Sequence, residues 1–380
     1  MKILIITWNF PPKTGGIENV MYNIWDQLRK RNDVFVIAPH ANSENIEEPG
    51  VFRPRFPQLL WFMLFSIFKG ARIILREKPD VLFASSALMC PATVVLARLF
   101  HRRVVTQIYG LDVIYRNIFY QLMVRCSLRR NDNVIAISEM SRNEAVARGT
   151  SSGKTVIIHP GTDTKTFYMD KDKDEIKRKH GLDGRKVILS VCRMAKRKGI
   201  AEFIRNSLPD IVGMVPEAIY LVVGENPSES LAHRDNVMQD IENAIQETGL
   251  NNHVLLLGKV EFSTLIEIYN LSDIFVLPVI PIEGDMEGFG VVFIEANAAG
   301  VPCVATKTGG ITDAIEDGRS GILVEPNDYR ALTGKIALLL KDSELRGNMG
   351  EYARQRARNS FDWGIVGIQH EGLLKRILKS

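Results

Sequence analysis

Short runs of aliphatic residues alternate along this chain with helix-period segments, and the alternation occurs twice. Residues 2–8, 34–38, 81–85, 104–108 and 134–138 read as strands, with helical patterns between them; the first such helix begins at Gly16 or Ile17 and runs to about Arg29. Repeated strand–helix alternation implies a parallel sheet covered on both faces. The pattern stops at 157–167 (IIHPGTDTKTF), a turn-rich junction followed by the charged run 169–179. It resumes with strands expected at 187–192, 218–223, 253–257, 274–277, 302–305 and 321–324, then helices at about 328–341, 343–358 and 362–379. The expected fold class is α/β, with two doubly wound Rossmann-like domains facing across a cleft and the boundary near residue 165. Ligands of such sheets sit at the C-terminal ends of the strands.

A chain of 380 residues has room for two such cores. Its net charge of +4 is uneven: residues 1–165 carry 22 Lys and Arg against 13 Asp and Glu, and 51–130 alone carry 13 against 3. The first half therefore expects an anionic partner, though not a nucleic acid. Cys90, Cys126, Cys192 and Cys303 show neither metal spacing nor a disulfide framework, and the seven histidines are scattered, so no metal and no cofactor is expected. The N-terminus reads as a buried strand, not a signal peptide. The longest apolar run, 59–68, is half of what a membrane span needs. Within 58–76, Ser66, Lys69, Arg72 and Arg76 recur at three- and four-residue steps, which predicts a basic helical face for an anionic membrane surface, or else a core helix with a solvated edge. The expected location is cytoplasmic, with peripheral attachment to the inner face of the membrane.

Chemistry concentrates in a few loops. In 287–300 (EGFGVVFIEANAAG), Glu287 falls in a glycine-relieved loop and Glu295 on the following helix, between Val291, Val292 and Ala298, Ala299. A carboxylate on that face needs a donor: a backbone amide, a distant Arg, or the vicinal hydroxyls of a ribose. After the first strand of the second half, 190–199 (SVCRMAKRKG) offers Arg193, Lys196, Arg197 and Lys198. Such a cluster suits a diphosphate, and Arg193 and Lys198 are the expected pair. Residues 307–311 (KTGGI) repeat the logic with backbone amides for phosphate oxygens; Gly258, Lys259 and Val260 form either a plain loop or a backbone contact for a nucleobase; Gly15 and Gly16 form a loop before the first helix, either a tight turn or an approach to an anion.

Taken together, GGIE at 15–18, HPGTDTKTF at 159–167, RMAKRKG at 193–199, LVVG at 221–224, SDIFVLP at 272–278, the Glu287/Glu295 pair and GVPCVATKTGG at 300–310 resemble glycosyltransferase family 4, retaining nucleotide-sugar enzymes of GT-B fold. The resemblance implies an acceptor-binding domain at 1–165, a nucleotide-sugar-binding domain at 166–360 and a C-terminal helix, 361–380, packing back on the first. It implies a metal-independent hexosyltransferase of bacterial cell-envelope or polysaccharide synthesis, in which Arg193 and Lys198 bind the donor diphosphate, Glu295 the ribose and Glu287 the sugar. The backbone at Phe289 and Gly290 would contact that sugar, Gly16 would approach the phosphates, and Gly15, Gly288 and Val291 would belong to the same donor site. The approach GDMEGFG resembles bacterial mannosyltransferases acting on phosphatidylinositol lipids. This favours GDP-mannose over a UDP-sugar as donor, with a lipid-linked or glycan acceptor.

One departure stands out. Where relatives often have His-Gly-x-Asp or His-Gly-x-Glu, this chain has Tyr109-Gly110-Leu111-Asp112; Tyr109 cannot carry an imidazolium's charge, and Asp112 is a candidate acceptor-side carboxylate. The competing readings are a nucleotide-sugar epimerase of similar fold and a non-catalytic nucleotide-sugar binder.

Overall fold

The computed structural model describes residues 1–41, 48–225 and 237–379. They form two compact units, Met1–Gly161 with Trp363–Ser380, and Thr162–Asp362.

In the first unit β1 (Lys2–Ile6), α1 (Gly16–Arg29), β2 (Asp33–Ile37) and β3 (Val51–Phe52) are followed by α2 (Leu59–Glu77), β4 (Val81–Ala84), α3 (Cys90–Leu99) and β5 (Arg103–Ile108). Then come α4 (Leu111–Ile114), α5 (Ile118–Leu128), β6 (Asn133–Ala136), α6 (Glu139–Ala147) and β7 (Thr155–Ile157). The strands pair in parallel in the order β3-β2-β1-β4-β5-β6-β7, so the direction of winding reverses between β1 and β4. Leu4, Leu82, Val104 and Val134 on one face of the sheet share a core with Phe62 and Ile73 of α2, Val94 of α3 and Val124 of α5. Local signals set several helix starts: Asn117 caps α5, and Ser138 forms a capping box with Ser141 at α6.

The second unit holds α7 (Lys173–Lys179), β8 (Lys186–Val191), α8 (Ile200–Asn206), α9 (Leu208–Met214), β9 (Ala218–Val223), α10 (Val237–Thr248), β10 (Val254–Gly258) and α11 (Phe262–Leu271). After these come β11 (Ile274–Leu277), α12 (Val291–Ala298), β12 (Cys303–Thr306), α13 (Ile311–Ala314), β13 (Gly321–Val324), α14 (Tyr329–Lys341) and α15 (Ser343–Ser360). Its parallel sheet runs β10-β9-β8-β11-β12-β13, again reversing beside the first strand. Buried Asp273 ties α7 to this sheet by accepting from Val187 N at 2.7 Å and Lys177 Nζ at 2.7 Å. Burial alone would raise its pKa; Lys173 and Lys177 reverse the sign and lower it.

The last helix, α16 (Trp363–Lys379), returns to the first unit and packs on α1. Its His370 is buried, with Nδ1 2.8 Å from Val366 O and Nε2 3.1 Å from Gln107 Oε1. Burial lowers that imidazole to a pKa of about 4, so it is neutral at ordinary pH.

The two-sheet α/β class is the one the alternation predicts. Two strands have no counterpart in that reading, β3 and β7, which at two and three residues are too short to show a period. The expected basic face of α2 requires correction. Ser66 is fully buried and donates to Phe62 O at 2.7 Å, while Lys69 lies 4.0 Å over the Phe52 ring. Of the four, Arg72 and Arg76 are exposed. No helix among the described residues is long and apolar enough to cross a membrane.

Candidate active site

Three loops at strand C-terminal ends of the second unit converge on Glu287. The loop after β8 ends in a short 3-10 turn, Lys196–Lys198, closed by Gly199 at φ 68. A Cβ at 199 would lie 2.1 Å from Pro278 O, so only glycine lets this loop press on the loop after β11. Ile280 N donates to Arg197 O at 2.8 Å across the same seam. From the far side, Gly310 N donates to Glu287 O at 2.8 Å, and a Cβ at Gly309 would stand 2.3 Å from that carbonyl.

This framing holds the Glu287 side chain between two cations. Arg197 Nη1 and Lys198 Nζ both donate to Glu287 Oε2, the lysine at 2.6 Å, and Arg197 Nε lies 3.1 Å from Asp285 Oδ2. Glu287, Arg197 and Lys198 are each less than one-tenth exposed. Burial would raise the carboxyl pKa, but the charges of Lys198 and Arg197 overcome it and hold Glu287 at about 2. Glu287 is thus an anion at every ordinary pH. It can neither act as a general acid nor, tied to two cations, serve as a strong nucleophile. What it can do is accept hydroxyl hydrogen bonds and oppose developing positive charge.

Glu295 lies on α12, which Gly290 starts in a left-handed conformation at φ 84. Its donor is neither a backbone amide nor an arginine but the Tyr269 hydroxyl, at 2.9 Å. Burial raises its pKa to about 7, the Tyr269 bond only partly offsetting the effect.

Of the other residues expected here, Arg193 is exposed just past β8, with no side-chain ion pair among the described residues. Phe289 is buried, its ring 5.8 Å from that of Phe361, and Gly288 and Val291 flank it at the mouth of α12. Gly258 ends β10, Val260 is half-buried beyond it, and exposed Lys259 lies 3.9 Å from Glu225. In 307–311, expected as an anion cradle, the amides of Lys307, Thr308, Gly310 and Ile311 go to carbonyls, and Gly310 N braces Glu287. Arg197, which belongs to the basic cluster but not to its expected pair, and Asp285 complete the constellation. Their signal was Arg197's place beside Lys198 in a turn closed by a glycine, opposite an acidic DME triplet.

In the first unit, Gly15 caps α1 under the Glu18 carboxylate, which accepts from Asn9 Nδ2 at 2.8 Å. A Cβ on Gly16 would meet nothing within 4 Å. Tyr109 is buried, its hydroxyl 3.2 Å from Gln107 Nε2. Asp112 accepts from Ala87 N and Tyr109 N, both at 2.9 Å, so its two oxygens shape the loop after β5. Among the described residues no group of three or more His, Cys, Asp or Glu is placed to hold a metal ion.

The family model described as Glycosyltransferase Family 4 matches residues 14–166, and that described as Glycosyl transferases group 1 matches 172–356. The chain belongs to glycosyltransferase family 4. This family 4 chain is 26% identical over 386 residues to the GDP-mannose-dependent alpha-(1-6)-phosphatidylinositol monomannoside mannosyltransferase of Mycolicibacterium smegmatis, covering 98% of each. It is 30% identical over 268 residues to the capsular polysaccharide biosynthesis glycosyltransferase CapM of Staphylococcus aureus, covering 68% of this chain and 65% of that one. Among solved structures it resembles Anabaena HepE in complex with UDP, with a TM-score of 0.81 at 21% identity and coverage of 99% and 100%. Sucrose-phosphate synthase of Thermosynechococcus elongatus gives 0.79 at 20%, covering 100% and 99%. The fold is accordingly GT-B, and the chain is a glycosyltransferase.

Proposed function

We propose that this glycosyltransferase moves a hexose from a nucleotide-sugar to a lipid-linked or glycan acceptor with retention of configuration, using protein cations in place of a metal at the diphosphate. The carrying observation is the Arg197–Lys198–Glu287 constellation at the strand ends of the second unit. Lys198 is the residue shared between Glu287 and the departing phosphate. Arg193, exposed nearby, adds a second cation, and Arg197 keeps Glu287 in place. As the C1–oxygen bond of the donor breaks, its electron pair leaves with the nucleoside diphosphate. The acceptor oxygen bonds to C1 on the same face, and its proton passes to the departing phosphate oxygen. The protein's part is positioning and charge stabilisation. Glu287, ionised and cation-bound, faces the positive charge that develops on the sugar, in keeping with the absence of a protein nucleophile from this scheme.

Glu295 is the ribose ligand in this reading: its carboxylate has one protein donor, Tyr269, and capacity for two more hydrogen bonds. GDP-mannose is the favoured donor because the relative matched end to end is named for it; HepE, solved with UDP, keeps UDP-sugars second. Incubation with GDP-mannose, UDP-glucose and candidate acceptors, followed by NMR of the product, tests the scheme. An α-linked product formed equally well in EDTA is expected; inversion, or dependence on added metal, refutes it.

A further inference from the structure

Helices α2, α3 and α5 of the first unit present an outer surface that glycosyl transfer does not use. α2 packs on α3 and α3 on α5, and their inward residues Phe62, Val94 and Val124 share one core above one face of the sheet. Their opposite sides therefore lie on one outer surface. A helix that covers a sheet in water normally turns polar residues outward. Here Leu60 and Phe68 of α2, Leu99 of α3 and Ile118, Phe119 and Leu122 of α5 are between 61% and 85% exposed. Apolar side chains spread over three neighbouring helices form the kind of patch that marks an interaction surface.

One edge of this surface is basic. The three helices return antiparallel to the strands, so their C-terminal ends lie where the strands begin. Arg76 is in the last turn of α2, Arg98 in that of α3, and exposed Arg129 and Arg130 follow α5. At the same edge a cavity of about 420 Å³ is lined by Asp80, Arg98, His101, Arg102, Arg103 and Leu378. Its acidic groups are already occupied: Asp132 pairs with Arg103 at 2.9 Å, and Asp80 accepts from Lys2 N at 2.7 Å. Arg98 gives one N–H to Arg130 O, while Arg102 Nε is buried without a hydrogen-bond partner. A buried guanidinium N–H is costly to leave unpaired. Between Arg98 and Arg102, His101 is held at φ 52, a left-handed conformation that a non-glycine residue adopts at a cost.

We propose that this outer face docks on a bilayer rich in anionic phospholipid, with the apolar side chains at the acyl boundary and a phospholipid phosphate held by Arg98 and Arg102. A bilayer offers apolar surface and phosphate side by side, matching the patch and its edge. A second copy of the chain is the poorer occupant, because its apolar surface brings no phosphate to the unpartnered Arg102 Nε. The inference deepens the reading of a lipid-linked acceptor, but its geometry lies wholly outside the Glu287 site.

Flotation with vesicles of phosphatidylcholine, with and without phosphatidylglycerol, tests it. The wild type should float only with phosphatidylglycerol present and should be released by salt. Arg98→Ala and Arg102→Ala should each weaken binding about fivefold, the equivalent of about 1 kcal/mol per arginine. Phe68→Ser with Phe119→Ser should abolish flotation, while circular dichroism and transfer to a soluble acceptor stay at wild-type levels. Failure of the wild type to float with phosphatidylglycerol vesicles overturns the proposal. So does a dimer in sedimentation equilibrium that the Phe68→Ser, Phe119→Ser variant dissociates, or thermal protection by inorganic phosphate through Arg102 without vesicle binding. Transfer to a soluble acceptor without flotation removes only this inference; flotation without any sugar transfer removes only the proposed function.

Discussion

Asp112, in the first turn of α4 after β5, and Glu287, in the loop after β11, are both carboxylates beyond the C-terminal ends of strands, yet their surroundings treat them in opposite ways. Asp112 is held by neutral donors, the backbone amides of Ala87 and Tyr109 among them, and burial outweighs them, so its pKa rises. Glu287 is held by Lys198 and Arg197, which outweigh burial and bring it to about 2. Desolvation opposes charge in both places, and only fixed cations reverse it. The first carboxylate shapes a loop; the second keeps a charge where charge is needed.

The largest expected effect breaks the comparison directly. Lys198→Met and Arg197→Met should each lower kcat by about 10² to 10³, as loss of one donor to a developing charge does elsewhere. Tyr109→Phe, which removes only a bond to Gln107, should lower it less than tenfold, and initial rates at saturating donor will show whether the units differ in this way.

The two carboxylates should also leave opposite marks on stability against pH. Glu287 has a folded pKa below its ordinary 4.5, so its contribution is present above that value and is lost as pH falls toward 2. The stability difference between wild type and Glu287→Gln should therefore shrink by about 3 kcal/mol over that window. Asp112 has a raised folded pKa, so its contribution is present below the ordinary carboxylate range and is lost as pH rises. The difference between wild type and Asp112→Asn should shrink in that opposite direction. Urea unfolding at a series of pH values reads both slopes, and slopes of the same sign would contradict the contrast.

Glu295 should give a smaller effect. With a folded pKa of about 7, raised from 4.5, it contributes stability below 4.5 that is lost as pH rises through 7. If the ionised form accepts the ribose hydroxyls, donor affinity should strengthen a few-fold from pH 6 to pH 8 by calorimetry, and Glu295→Gln should flatten the trend. Tyr269→Phe should cost about 1 kcal/mol in urea unfolding, the worth of one hydrogen bond.

The sheets were legible because their strands are apolar runs bounded by helical periods, and β1 through β13 fall where those runs fall except for the two short edge strands. The site was legible only as a set of loops. Sequence adjacency ranks Arg193 and Lys198 as equals, because both are basic and both follow β8. The 3-10 turn and Gly199 send Arg197 and Lys198 inward and leave Arg193 in solvent, and the close approach of Gly199 to Pro278 that permits this is a tertiary contact no local pattern encodes. Lys307 to Ile311 likewise has the composition of an anion cradle, yet the amides of Lys307, Thr308, Gly310 and Ile311 go to carbonyls, two of them on distant residues, Val324 and Glu287. On α2, Ser66 has the right spacing for the basic face but turns into the core, because a serine can satisfy its hydroxyl on its own helix at Phe62 O.

Binding of GDP and UDP to the wild type and to Lys198→Met, measured by isothermal titration calorimetry, tests most directly whether the second unit's cation pair is the donor site. Binding by the wild type and a loss of at least about tenfold in the variant are expected, the cost of one charge-assisted contact, with the unfolding transition still cooperative. Equal affinity in the two proteins would contradict it.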